Sequence, residues 1–135
     1  MQHDEFIIQV SNRAPLSSRD HAELATRATL ETLAEPLAGG EPFNASAQLP
    51  RGIAEYLRHQ YAESGERFSL DEFFGRISQR EGVELPDAVH HARVVIEVLS
   101  EAISSGEIND ICSQLPSGLE PLFEASSQGQ IRVNT

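Results

Sequence analysis

The feature that most restricts this chain is that it repeats itself. Asp4-Glu5-Phe6 returns as Asp71-Glu72-Phe73, and Arg13 returns as Arg80, both at a spacing of 67 residues. One residue is then lost between the copies. At a spacing of 66, Arg27 matches Arg93, Leu33 matches Leu99, Gly40-Glu41 matches Gly106-Glu107, and Gln48-Leu49-Pro50 matches Gln114-Leu115-Pro116. Four blocks in one order at one spacing mark a duplication, so each copy is expected to adopt the same local fold. The copies run over about 4–63 and 70–125, with a C-terminal tail over 126–135. At about 55 residues an isolated core is marginal, which predicts that both copies share one domain spanning 1–125.

The apolar spacing inside each copy is helical. Phe6, Ile7 and Val10, with Phe73, Phe74 and Ile77 as counterparts, share one face of a first helix. In the first copy Ala22, Ala25, Thr29, Leu30, Leu33 and Leu37 recur with a period near 3.6. Their counterparts are Ala88, His91, Val95, Ile96, Leu99 and Ile103. Ser69-Leu70-Asp71-Glu72 has the form of a capping box opening the second copy. Turns are expected around Ala14-Pro15-Leu16 and Gly82-Val83, and the long helices should end at Gly39-Gly40 and Ser105-Gly106. Pro36 should kink or shorten the long helix of the first copy. A short third helix precedes each Gln-Leu-Pro, and a fourth follows, from Arg51 to about Glu63 and from Ser117 to about Ala125. The fold class is all-α: a helical bundle of two pseudo-symmetric repeats.

The recurring blocks also carry a family resemblance. "DEFFGRISQREGV" followed by "HARVVIEVLSEAISSGEINDICSQLP" resembles the bacterial family of domain of unknown function 2267, and "DEFIIQV", "ATRATLETLAEPLAGGE" and "AQLP" fit the first copy to the same pattern. The likeness spans about residues 4–123, with departures at Pro36, Pro42 and His90-His91. It implies a small helical cytoplasmic protein of bacteria in which the unit often occurs twice. It implies no catalytic residues.

Charge and composition narrow the function further. A net charge of −11 and a pI near 4.7 oppose nucleic acid, since affinity for phosphate depends on Lys and Arg displacing counterions. They oppose an anionic membrane surface for the same reason. Leu, Ile, Val and Phe make up 35 of the 135 residues, enough for an aliphatic core without Trp. No run approaches a membrane span, and Met1-Gln2-His3-Asp4-Glu5 lacks the basic and apolar regions of a signal peptide, so a cytoplasmic chain is expected. Cys112 is the only cysteine, which excludes an internal disulfide; its apolar neighbours suggest an inert thiol.

Two constellations bear on chemistry. Arg27-Glu31-Glu35 and Arg93-Glu97-Glu101 place three charges at a spacing of four, on one face of each long helix. The default reading is a solvated face; the functional one is a pseudo-symmetric polar groove between the helices. The second is Asp87 with His91, which at i and i+4 can share a divalent ion. The first copy has His21 where the second has Asp87, and Ala25 where it has His91, so the set is not repeated and no metal or cofactor is expected. His91 is read as a packing residue. Arg51, Arg58 and His59 form the most basic patch, diluted by Glu55 and Glu63. Phe43, Tyr56, Tyr61 and Phe68 offer aromatic anchors of the kind interfaces favour. These features favour a non-enzymatic interaction or scaffold module that meets a protein partner, or itself as a homodimer. The alternative is a metal-dependent or acid–base enzyme using Asp87, His91 and the Glu stripes.

Overall fold

Six α-helices and one 3-10 turn account for most of the residues that the computed structural model describes, which are 1–14, 16, 18–37, 48–57 and 68–123. The helices are α1 (His3–Arg13), α2 (Arg19–Ala34), α3 (Arg51–Leu57), α4 (Leu70–Glu81), α5 (Leu85–Ala102) and α6 (Ser105–Gln114), and the turn is Ser117–Leu119. No strand occurs among the described residues, and the class is all-α. The expected third helix of the first copy, Gly39-Gly40, Glu41, Phe43, Arg58, His59, Tyr61 and the 126–135 tail lie outside the described residues. None of the helices described is long and apolar enough to cross a membrane.

Local chemistry sets the helix starts. The hydroxyls of Ser18, Ser69 and Ser104 accept the backbone N–H groups of His21, Glu72 and Glu107, at 3.1, 3.1 and 3.3 Å. The Glu72 carboxylate turns to Arg76 (2.9 Å), so only the serine half of the expected box forms. Ser105-Gly106, expected to end the long helix of the second copy, instead open α6. The long helix stops at Ala102, Ile103 is extended, and the Ser104 cap restarts the chain. The other long helix, α2, ends at Ala34, short of the expected Gly39-Gly40 and two residues before Pro36, and Leu37 is buried just beyond it. Pro36 thus shortens the helix. In the second copy the expected last helix is broken: a 3-10 turn comes first, and helical backbone resumes at 121–123.

Helix α2 is the centre of the bundle and packs against α1, α3, α4 and α5. Its Ala22, Ala25, Ala28, Thr26, Thr29 and Thr32 are buried, and such small side chains let neighbouring backbones approach from several sides. The Thr26 and Thr32 hydroxyls donate to the carbonyls of Ala22 (2.9 Å) and Ala28 (2.7 Å), which removes two polar groups from the packing problem. Helix α5 packs on α1, α2 and α4. One continuous core results, with Phe6, Leu33, Phe73, Leu99 and Phe123 in it and nearly or wholly excluded from solvent.

Candidate functional site

The carboxylates of the α2 stripe do not lie in water as the default reading supposes, whereas Glu101 at the end of the α5 stripe is exposed. Glu35 is only 3% exposed, because α4 packs on α2 and brings Arg76 and Arg80 to it, and Glu31 one turn earlier is 8% exposed. Both arginines pair with the Glu35 carboxylate. Arg80 also donates to the Thr32 hydroxyl (2.7 Å), and the Arg76 guanidinium stacks 4.2 Å from the centre of the Phe68 ring. Arg27 holds Glu31 along the helix at 3.0 Å. On α5, Glu97 and Glu101 both reach Arg13 of α1. Arg13 grips Glu101 through two hydrogen bonds of 2.8 Å, and this guanidinium keeps the Glu101 carboxyl below the usual carboxylate range. Arg93 is half-buried on α5 and joins no ion pair among the described residues. The structure therefore joins each stripe to a different arginine-bearing helix, α4 in one case and α1 in the other.

A second polar cluster ties the first three helices together. Glu23 of α2 faces the His3 imidazole at 2.9 and 3.0 Å and accepts the Tyr56 hydroxyl at 2.5 Å. Burial, reinforced by the Glu23 carboxylate, pushes the Tyr56 phenol far above its ordinary range.

The third cluster joins residues that the sequence does not associate. Helix α4 ends at Glu81, where Gly82 takes the left-handed conformation (φ 74°) that favours glycine. The N–H groups of Gly82 and Val83 return to the Ser78 carbonyl at 2.9 and 3.2 Å, and α5 starts at Leu85 with Pro86 in its first turn. This tight link folds α4 and α5 into a hairpin and sets Glu81 against His91, whose Nδ1 contacts Glu81 Oε2. His21, in the first turn of α2, brings its Nε2 to the same oxygen at 3.0 Å. The two imidazoles meet edge to face, with centroids 5.5 Å apart. The Glu81 side chain is fully buried, that of His91 is 9% exposed and that of His21 is 27% exposed.

His91 is therefore more than a packing residue, and its partner is Glu81. Asp87, the partner expected from sequence, is exposed on α5 and stands outside the cluster; His90 is exposed beside it. Sequence reasoning missed Glu81 and set His21 aside. The one available signal was Glu81 and His91 flanking Gly82 and Pro86, since a short helical hairpin aligns the last turn of one helix with the start of the next. Nothing local pointed to His21.

The family relationship agrees with this all-helical architecture. The chain belongs to the family described as "Uncharacterized conserved protein (DUF2267)", which matches residues 3–122. Comparison with curated proteins gives no significant match.

Proposed function

We propose that this member of the family is a non-enzymatic helical module that works by offering its surface to a protein partner or to a second copy of itself. The observation behind this reading is the engagement of the stripe carboxylates. Glu35, Glu97 and Glu101 are held by arginines from other helices of the same chain. A carboxylate neutralised by a fixed guanidinium is a poor proton acceptor, and Glu101 is shifted away from the neutral range where a general acid or base operates. The stripes thus brace the bundle, and the acid–base reading of the polar groove loses its working groups.

In the same reading the two copies form one cytoplasmic folding unit. Ile8 on α1, Leu24 on α2 and Leu85 on α5 are 41%, 40% and 50% exposed and supply apolar contact points. The net charge of −11 turns the surface away from nucleic acid and anionic lipid and toward protein. Photo-crosslinking amino acids at positions 8, 24 and 85 test this in cells of the source organism. The expected result is discrete crosslinked protein species, identified by mass spectrometry, and those captured from position 85 disappear when Ile8→Lys and Leu24→Lys are added while the circular dichroism is unchanged. A chain that crosslinks to nothing from any of the three positions refutes the module reading.

A further inference from the structure

The geometry points to a divalent transition-metal site formed by His21, Glu81 and His91, with zinc(II) the ion its donors fit best. Each residue comes from a different helix, α2, α4 and α5, and the candidate donor atoms all lie within 4.8 Å of one another. On a tetrahedral ion with bonds of about 2.0–2.2 Å, donor atoms stand about 3.4 Å apart. His21 Nε2 and Glu81 Oε2, now at 3.0 Å, separate by a few tenths of an ångström to reach this spacing, and His91 Nδ1, in closer contact with the same oxygen, moves further.

A second observation independently asks for a cation. The Glu81 side chain is wholly removed from solvent, and its Oε1 has no hydrogen-bond partner among the described residues. A buried carboxylate oxygen left unpaired is costly. A divalent ion between the two imidazoles and this carboxylate supplies the missing charge and can accept either oxygen.

The donor set chooses among ions. Two imidazole nitrogens and one carboxylate suit zinc, cobalt, nickel or iron, whereas calcium and magnesium want oxygen alone. Three protein ligands leave a fourth position for water. That position opens beside His21, the only one of the three with more than a tenth of its side chain exposed. Because 60 residues separate His21 from Glu81, the ion would pin the central helix to the α4–α5 hairpin. This inference does not depend on the module reading.

The test uses the full, untagged chain stripped with a chelator and titrated with zinc sulfate by calorimetry, then with cobalt(II) followed by its visible absorption. We expect one zinc per chain, a higher melting temperature that chelator reverses, and a tetrahedral cobalt spectrum. His21→Ala and His91→Ala should each weaken zinc by more than a hundredfold, since changes to outer-shell partners alone cost about 10–100-fold. Because the His21 side chain is partly exposed, His21→Ala keeps the question open to measurement even if Glu81→Gln fails to fold. Absence of zinc binding overturns the site. So does zinc binding that survives both histidine substitutions, because the ion would then sit among surface carboxylates.

Discussion

Glu35 and Glu101 each close an Arg-x-x-x-Glu-x-x-x-Glu stripe, yet replacing each by alanine should have very different consequences. The Glu35 side chain is 4% exposed and pairs with Arg76 and Arg80, whose side chains are 20% and 25% exposed. Removing one partner of a buried ion pair costs about 3–5 kcal/mol, because the remaining charge is left without compensation. The two arginines here retain some contact with water, so we expect about 2–4 kcal/mol for Glu35→Ala. Glu101 is 49% exposed and pairs with an Arg13 side chain that is 29% exposed. Solvent screening limits such a pair to about 0.2–1 kcal/mol. Urea unfolding followed by far-ultraviolet circular dichroism, with equal slopes confirming a common denatured state, gives both values. If the two substitutions cost the same within about 0.5 kcal/mol, the claim that α4 converts one stripe into a buried brace is wrong.

Two further outcomes follow from the same structure. Tyr56 should stay protonated in the native protein well above pH 10.0, the ordinary phenol value, because burial and the Glu23 carboxylate disfavour the phenolate. A group that holds its proton more tightly when folded stabilises the fold below its unfolded pKa, and this contribution falls as pH rises above it. A Tyr61→Phe chain should therefore show phenolate absorbance only as its helical signal is lost; titration of a fully folded chain near pH 10 would contradict the burial of Tyr56. A fragment of residues 1–64 should be largely unfolded, or should dimerise, since it leaves α1 and α2 without α4 and α5. A monomeric fragment that melts cooperatively near the full-length temperature, by circular dichroism and light scattering, would show two autonomous units.

Much of the fold was legible in the sequence because helical periodicity is a local property. Phe6, Val10, Phe73 and Ile77 were placed on apolar faces by spacing alone and are buried. Serine caps were partly legible for the same reason. Ser69 was read from its capping box and caps α4, and Ser104 caps α6 directly before the Ser-Gly pair that was read as a helix end. Pro36 was expected to kink or shorten the long helix, and α2 ends two residues before it, since proline lacks the N–H that the helix needs and its ring crowds the carbonyl four residues earlier.

The candidate metal cluster follows a different logic. When the two halves of the sequence are aligned, its members fall at positions that do not match: Ala14 aligns with Glu81, Ala25 with His91, and His21 with Asp87. The very residues that meet are therefore those that the aligned halves do not share. The sequence by itself determined that the chain would be helical, where most helices begin, and which faces turn inward, because these depend on neighbours within a turn or two. Tertiary packing alone decided that α2 lies against α4 and α5. That packing converts one charged stripe into a buried arginine brace and draws His21 across 60 residues to Glu81. Side chains so far apart in sequence are brought together by the burial of apolar surface on separate helices, which carries no signature at the polar residues themselves.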